Sequence, residues 1–372
     1  MPGNEYRDDH GHFTTKENDN GPCRHDSSSG NDIIYSDNLI KENQTTLSET
    51  EKKYLENVNA NANSEAIDVL NSLPPVKIRY GTPADETDTT CYDHEFKTII
   101  VKKGDTSMFS EKEEGTSYYA KGEIYFHENG HYVDNKLSRE ISNGILYASS
   151  SFVSPKFGVT LHDMVRKEKS RIKRADGVKM SILLDYEFID KFTDDKTIKD
   201  ICGFYKKYVD DAIEYANNRL VAPFGISKKF SGNFVLGHTD DMTEFKDEAI
   251  EYINNKIRFF FSKEDIQKYN NSTGVRMKAM YYGRQKYSII SDALSSTRAY
   301  TQTKGIAHIG HSATYYYDRI LYGLGTEFFA NYFSAWSRND KEQMEVTKRF
   351  MPNSCEIFDE MIKAYKDKKG GK

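Results

Sequence analysis

Apolar residues recur at steps of three and four along most of this chain, and strict alternation is confined to short runs. Ile198, Ile201, Tyr205, Tyr208, Ala212 and Ile213 follow the helical period, and Met242 to Phe261 forms a second amphipathic segment of the same kind. An earlier helix is predicted from Leu47-Ser-Glu-Thr-Glu-Lys-Lys-Tyr-Leu55, with Ser48 as N-cap and Glu51 at the capping-box position. Pro74-Pro75 ends that helical stretch, because the second ring disfavours the helical conformation of the residue before it. Two runs, Val76 to Tyr80 and Phe96 to Val101, carry the β-branched and aromatic content of strands, and Ser117-Tyr118-Tyr119 offers a third. A small sheet is therefore expected before a helix that starts near Gly122 and continues beyond Asp134. Residues from about Pro155 to Tyr287 read as a helical insertion or subdomain, whose tyrosine stripes are expected to be core. A closing helix is expected from about Ser354 to Lys366. The fold class is α+β, with a small sheet early and a mostly helical C-terminal part.

Composition sets the limits. The chain has 372 residues, enough for a sizeable core, but residues 1–30 are too polar to offset the entropy of ordering them and read as a disordered tail. Its His10, His12, His25 and Cys23 have nothing to fix them as a metal site. A single domain over residues 31–372, with the insertion at 155–287, is expected. The net charge of −5 is small, with cations and anions interspersed, so no nucleic-acid footprint stands out. No window approaches the roughly twenty apolar residues of a membrane span, and the first residues lack the apolar segment of a signal peptide, so no membrane is expected and the location reads as cytoplasmic unless something else exports the chain, with a virion-associated or delivered protein as the alternative. Cys23, Cys91, Cys202 and Cys355 lie far apart without CxxC spacing and are expected to be free thiols.

One stretch proposes chemistry. His127-Glu128-Asn129-Gly130-His131 is an HExxH run, in which histidines four apart share a helix face and can reach one Zn²⁺ while the glutamate addresses an attacking water. The pattern reads as a zinc hydrolase, most simply a peptidase acting on protein or peptide substrates, with Glu128 as general base and then acid. A catalytic zinc needs a third protein ligand, and Asp134, His308, His311, Asp318 and Glu327 are candidates. Asp134 is short and lies further along the same helix, which suits it to holding the free ring N–H of His131 instead. Glu327 opens the run Glu-Phe-Phe-Ala-Asn-Tyr-Phe-Ser-Ala-Trp336, whose burial would make a lone carboxylate costly unless it met a cation. An edge strand just before the helix would allow an extended substrate to pair by main-chain hydrogen bonds.

His-Glu-Asn-Gly-His-Tyr-Val-Asp at 127–134, together with Glu-Phe-Phe-Ala at 327–330, resembles the gluzincin metallopeptidases of the anthrax lethal-factor type. It is similar also to the peptidase-like domains of phage and mobile-element head-morphogenesis proteins. The resemblance extends in part to SIISDALSS around Asp292 and to the Gly310-His311 to Tyr317 run, and leaves out the tail and the helical insertion. It implies a zincin-like metallopeptidase fold, one zinc held by His127, His131 and Glu327, and Glu128 as catalytic glutamate. It further implies an oxyanion donor upstream of Glu327, for which His311 and Tyr317 are candidates beside Tyr315, Tyr316 and Tyr322. Three roles follow from it: a zinc endopeptidase, a phage or mobile-element structural protein with a structural or maturation-limited metal site and phage structural proteins as partners, or a delivered toxin-like effector peptidase.

Overall fold

A computed structural model describes residues 47–82, 85, 89–102, 104, 107–109, 117, 119–144, 146–221, 240–296, 310 and 323–370. They fall into two compact units, one drawn from Met1–Lys112, Tyr119–Arg166 and Thr314–Lys372, the other from Glu113–Tyr118 and Lys167–Ala313. The expected tail at 1–30 lies outside the described residues.

The first unit begins with α1 (Glu49–Ala60), where Ser48 Oγ accepts the Glu51 amide at 3.3 Å and the Glu51 carboxylate accepts the Ser48 amide at 2.7 Å. The reciprocal cap satisfies amides that a helix start leaves open, and α1 then buries Tyr54, Leu55 and Val58. After α2 (Ser64–Asn71), capped by Asn63, the chain passes Pro74-Pro75 into β1 (Lys77–Tyr80). β2 (Cys91–Asp93) and β3 (Thr98–Val101) complete a mixed sheet in the order β1-β3-β2, with β1 parallel and β2 antiparallel to β3. All four residues of β3 are buried, as its unbroken Thr-Ile-Ile-Val run requires of a central strand.

β2 is a strand that periodicity does not announce, because three residues carry no period. Its pairing depends on Asp93, whose Oδ1 accepts the Glu95 and Phe96 amides at 2.8 and 2.9 Å and bends the chain back toward β3 through Lys97 at φ 51°. The strand expected at 117–119 is not formed among the described residues: Ser117 and Tyr119 lie in bends. The sheet leads into α3 (Glu123–Leu137), and α4 (Leu161–Lys169) follows.

The second unit is helical among its described residues: α5 (Arg174–Tyr186), α6 (Lys196–Val221), α7 (Asp240–Phe260), α8 (Lys263–Asn271), α9 (Thr273–Lys286) and α10 (Ser288–Ser295). The period read from α6 places Ile198, Ile201, Tyr205 and Ala212 inside, and α7 packs on it with Phe245, Ala249, Ile253 and Ile257 buried. The tyrosine stripe divides. Tyr205 is core, stacked on Tyr186 at 3.7 Å and donating to Asn254 Oδ1 at 2.6 Å, whereas Tyr215 is exposed.

The chain returns to the first unit with α11 (Gly323–Ser337), α12 (Lys341–Phe350) and α13 (Pro352–Gly370). Phe329, Tyr332 and Trp336 of α11 surround Phe358 of α13 at ring separations of 4.9, 4.9 and 5.9 Å. The molecule is thus mostly helical with a small mixed sheet, an α+β protein. No helix among the described residues is long and apolar enough to cross a membrane. Cys202 and Cys355 are buried thiols outside any disulfide. Cys91 is disulfide-bonded, which corrects the free-thiol expectation there, since sequence separation does not say which cysteines a fold brings together.

Candidate metal centre

The site is built where α3 meets α11. α3 starts at Gly122, whose φ of 74° admits a residue without a side chain and whose amide is held by the Tyr54 hydroxyl at 3.1 Å. Eight residues on, Gly130 faces Ala330: a Cβ added there would stand 2.7 Å from the Ala330 Cα and 3.0 Å from its carbonyl oxygen. Glycine opposite alanine therefore lets the backbones approach as a larger pair would not. Ser334 Oγ, one turn further along α11, donates to the Glu123 carbonyl at 2.8 Å and ties the helices at a second point.

That contact places three donors together. His131 adjoins Gly130, His127 lies one turn back on the same face, and Glu327 lies nearly one turn before Ala330. The Nε2 atoms of His127 and His131 are 3.1 Å apart, Glu327 Oε2 is 3.5 Å from His127 Nε2, and Glu327 Oε1 is 3.6 Å from His131 Nε2. Donors bound to one tetrahedral ion at about 2.1 Å sit about 3.4 Å from one another. The three separations lie near that value, with the two Glu327 oxygens each facing one histidine, and one ligand atom from each residue lies within 4.8 Å of the others, an arrangement compatible with a single ion. His127, His131 and Glu327 form the one group of this kind among the described residues.

His127 is oriented from behind. Its Nδ1 lies 2.9 Å from Asn331 Oδ1, and because an amide oxygen only accepts, the proton belongs on Nδ1 and the Nε2 lone pair is turned to the site. Asn331 stands four residues after Glu327, so one face of α11 supplies both a donor and the brace for another. Glu327 is 2% exposed and His131 4%. Burial works against a charged His131 imidazole, but Glu327, then Glu128 and Asp134, outweigh it and raise its pKa above the ordinary value. The donor set therefore stabilises positive charge.

Glu128 is buried on the sheet side of α3, where one carboxylate oxygen accepts the Tyr92 amide of β2 at 2.6 Å. Asp134 is placed otherwise than the sequence suggested. Its oxygens accept the Ser149 amide at 2.7 Å and the Ser149 hydroxyl at 2.6 Å, while His131 Nδ1 finds no hydrogen-bond partner among the described groups. The 3-10 turn Ala148–Ser150 presents two fixed donors to this short side chain, and these win over a ring on its own helix. Ser149 Oγ also lies 3.3 Å from Thr326 Oγ1, so Asp134 braces α3 toward the first turn of α11. Burial pushes the Asp134 pKa up to about 7 against the lowering effect of Ser149.

The oxyanion candidates His311, Tyr315, Tyr316, Tyr317 and Tyr322 lie outside the described residues, as do His308 and Asp318. Residue-by-residue reading missed Asn331, Tyr92 and Ser149. Asn331 was within reach, since its four-residue spacing from Glu327 puts both on one helix face. Tyr92 contributes only its backbone, and a backbone donor has no sequence signal. No protein family, curated protein or solved structure matches this chain.

Proposed function

We propose that this protein is a zinc-dependent endopeptidase. The observation that carries the reading is the convergence of His127, His131 and Glu327 at separations suited to one tetrahedral ion, with Glu128 of the same HExxH run acting electrostatically on His131. Two neutral imidazoles and one carboxylate, without thiolate, form a donor set suited to a catalytic zinc that keeps a position open. A zinc ion held there supplies Lewis-acid polarisation of a carbonyl and acidifies a water.

The chain's own residues do the remainder. Glu128 removes a proton from the attacking water as the new C–O bond forms, and delivers it to the amide nitrogen as the C–N bond breaks. The Tyr92 amide holds one oxygen of that carboxylate and leaves the side chain little freedom to swing away. Asn331 keeps the His127 ring turned to the site. β2 is an edge strand among the described residues, and an extended peptide laid along it would run beside Glu128, which favours a peptide over a small ester as substrate.

The test is metal content and chelator-sensitive hydrolysis together. Purified protein should carry about one zinc per chain, cleave a peptide library, and lose that activity to a chelator. Glu128→Gln should keep the metal and lose roughly a hundredfold to ten-thousandfold in rate. Protein that neither contains nor takes up a divalent metal would end the proposal, and a fully active Glu128→Gln variant would remove the assigned base.

A further inference from the structure

The second unit carries a surface that the metal site does not use. α7 ends in Phe259-Phe260, followed by Phe261, and its burial pattern breaks there: Phe259 is 84% exposed and Phe260 58%, the two most exposed large apolar side chains among the described residues. Exposure this high means that the Phe259 ring projects from the helix end. Phe260 and Phe261 lean on Phe204 of α6 at 5.5 and 4.9 Å, and Phe259 on Phe260 at 5.2 Å, so the rings form one continuous cluster rather than isolated side chains.

Cations flank it. From Tyr252 to Lys263 the chain has Lys256, Arg258 and Lys263 and neither aspartate nor glutamate. Lys256 lies over the Tyr208 and Tyr252 rings, 4.9 Å from each, and Lys207 lies 4.9 Å from Tyr208. Acidic residues resume in the first turn of α8, where Asp265 is occupied in capping with Ser262 and the exposed Glu264 follows Lys263. The half-buried Lys256 and the exposed Lys207, whose ammonium groups lie over aromatic rings, stand with Arg258 and Lys263 near a projecting phenylalanine and combine an apolar wedge with nearby cations.

We infer that this end of the α6–α7 pair docks on a phospholipid surface rich in anionic headgroups, with Phe259 and Phe260 entering the headgroup boundary and Lys256, Arg258 and Lys263 meeting the phosphates. Such docking needs no spanning segment. It needs rings that tolerate the interface and cations that stay at headgroup level. Cations on either side of the ring run favour a lipid surface over an apolar protein groove, which would have to desolvate three cations to seat two rings.

The experiment is co-sedimentation of the full chain with vesicles of phosphatidylcholine, with and without phosphatidylserine. The parent protein should pellet with the phosphatidylserine vesicles and be released by salt. Phe259→Ser, which touches only an exposed position, should lower that partition about tenfold, and Lys256→Gln with Lys263→Gln should lower it and flatten its salt dependence. Phe259→Trp should show a blue-shifted emission with phosphatidylserine vesicles that the parent lacks. Equal partition of parent and Phe259→Ser, no partition at all, or a self-associated parent that Phe259→Ser converts to monomer would overturn the inference.

Discussion

α3 and α11 meet where Gly130 has no side chain to hold Ala330 away, whereas α6 and α7 meet through long side chains: Tyr215 and Tyr252 with rings 4.8 Å apart, and the Tyr205 hydroxyl on Asn254. The first pair buries Glu128, His131, Asp134 and Glu327 along its length. The second has no fully buried charged residue among those described and ends in an exposed aromatic cluster. Close backbone approach spends its interface on small residues, so polar groups flanking the contact converge, and each must then be matched by a partner or an ion. A contact made by rings is held mainly by area and brings fewer buried charges together. Chemistry is expected from the first arrangement and surface binding from the second.

The sharpest way to break this contrast is to widen the close contact. Gly130→Val should push α11 from α3, separate Glu327 from the histidines and abolish stoichiometric metal, with a loss of about 2 kcal/mol or more in stability from overpacking. Elemental analysis and a denaturant midpoint measure both, and a Gly130→Val protein that still bound metal fully would show that the close approach does not build the site. A smaller effect is expected from Asn331→Ala, which frees the His127 ring: metal affinity should fall roughly ten- to a hundredfold while the fold persists. Asn331→Asp should restore it, and competition against a chelating dye reads the difference.

Asp134 sharpens the comparison through pH. Its folded pKa is raised from the ordinary 3.8 to about 7, so between those values the folded state binds the extra proton. The stability this contributes is full below about pH 4 and is lost as the pH rises through about 7. Thermal unfolding of chelator-treated protein should therefore show a decline over that window, and Asp134→Asn should flatten it. The smallest effect belongs to the ring-made contact. Tyr205→Phe deletes the hydrogen bond to Asn254 and should cost about 1 kcal/mol without changing metal stoichiometry; a loss of metal there would deny that the two helix pairs do separate work.

How far sequence carried the reading depends on the range of the forces involved. The capping box of Ser48 and Glu51, the helical faces of α6 and α7, the strand content of β1 and β3, and the shared face of His127 and His131 are all settled by neighbours within a turn or two, and periodicity exposes them. The burial of Glu327 followed from the apolar run around it. What sequence could not supply were the partners of buried polar groups reached from elsewhere in the chain: the Tyr92 amide for Glu128, Ser149 for Asp134, and the disulfide at Cys91. Nor could it supply β2, a three-residue strand held by the Asp93 turn. Hydrophobic pattern records which face of an element turns inward, but which donor stands opposite a given carboxylate is decided by how elements stack. Between α3 and α11 that stacking was decided by a glycine and an alanine two hundred residues apart, whose smallness acquires meaning only when they meet.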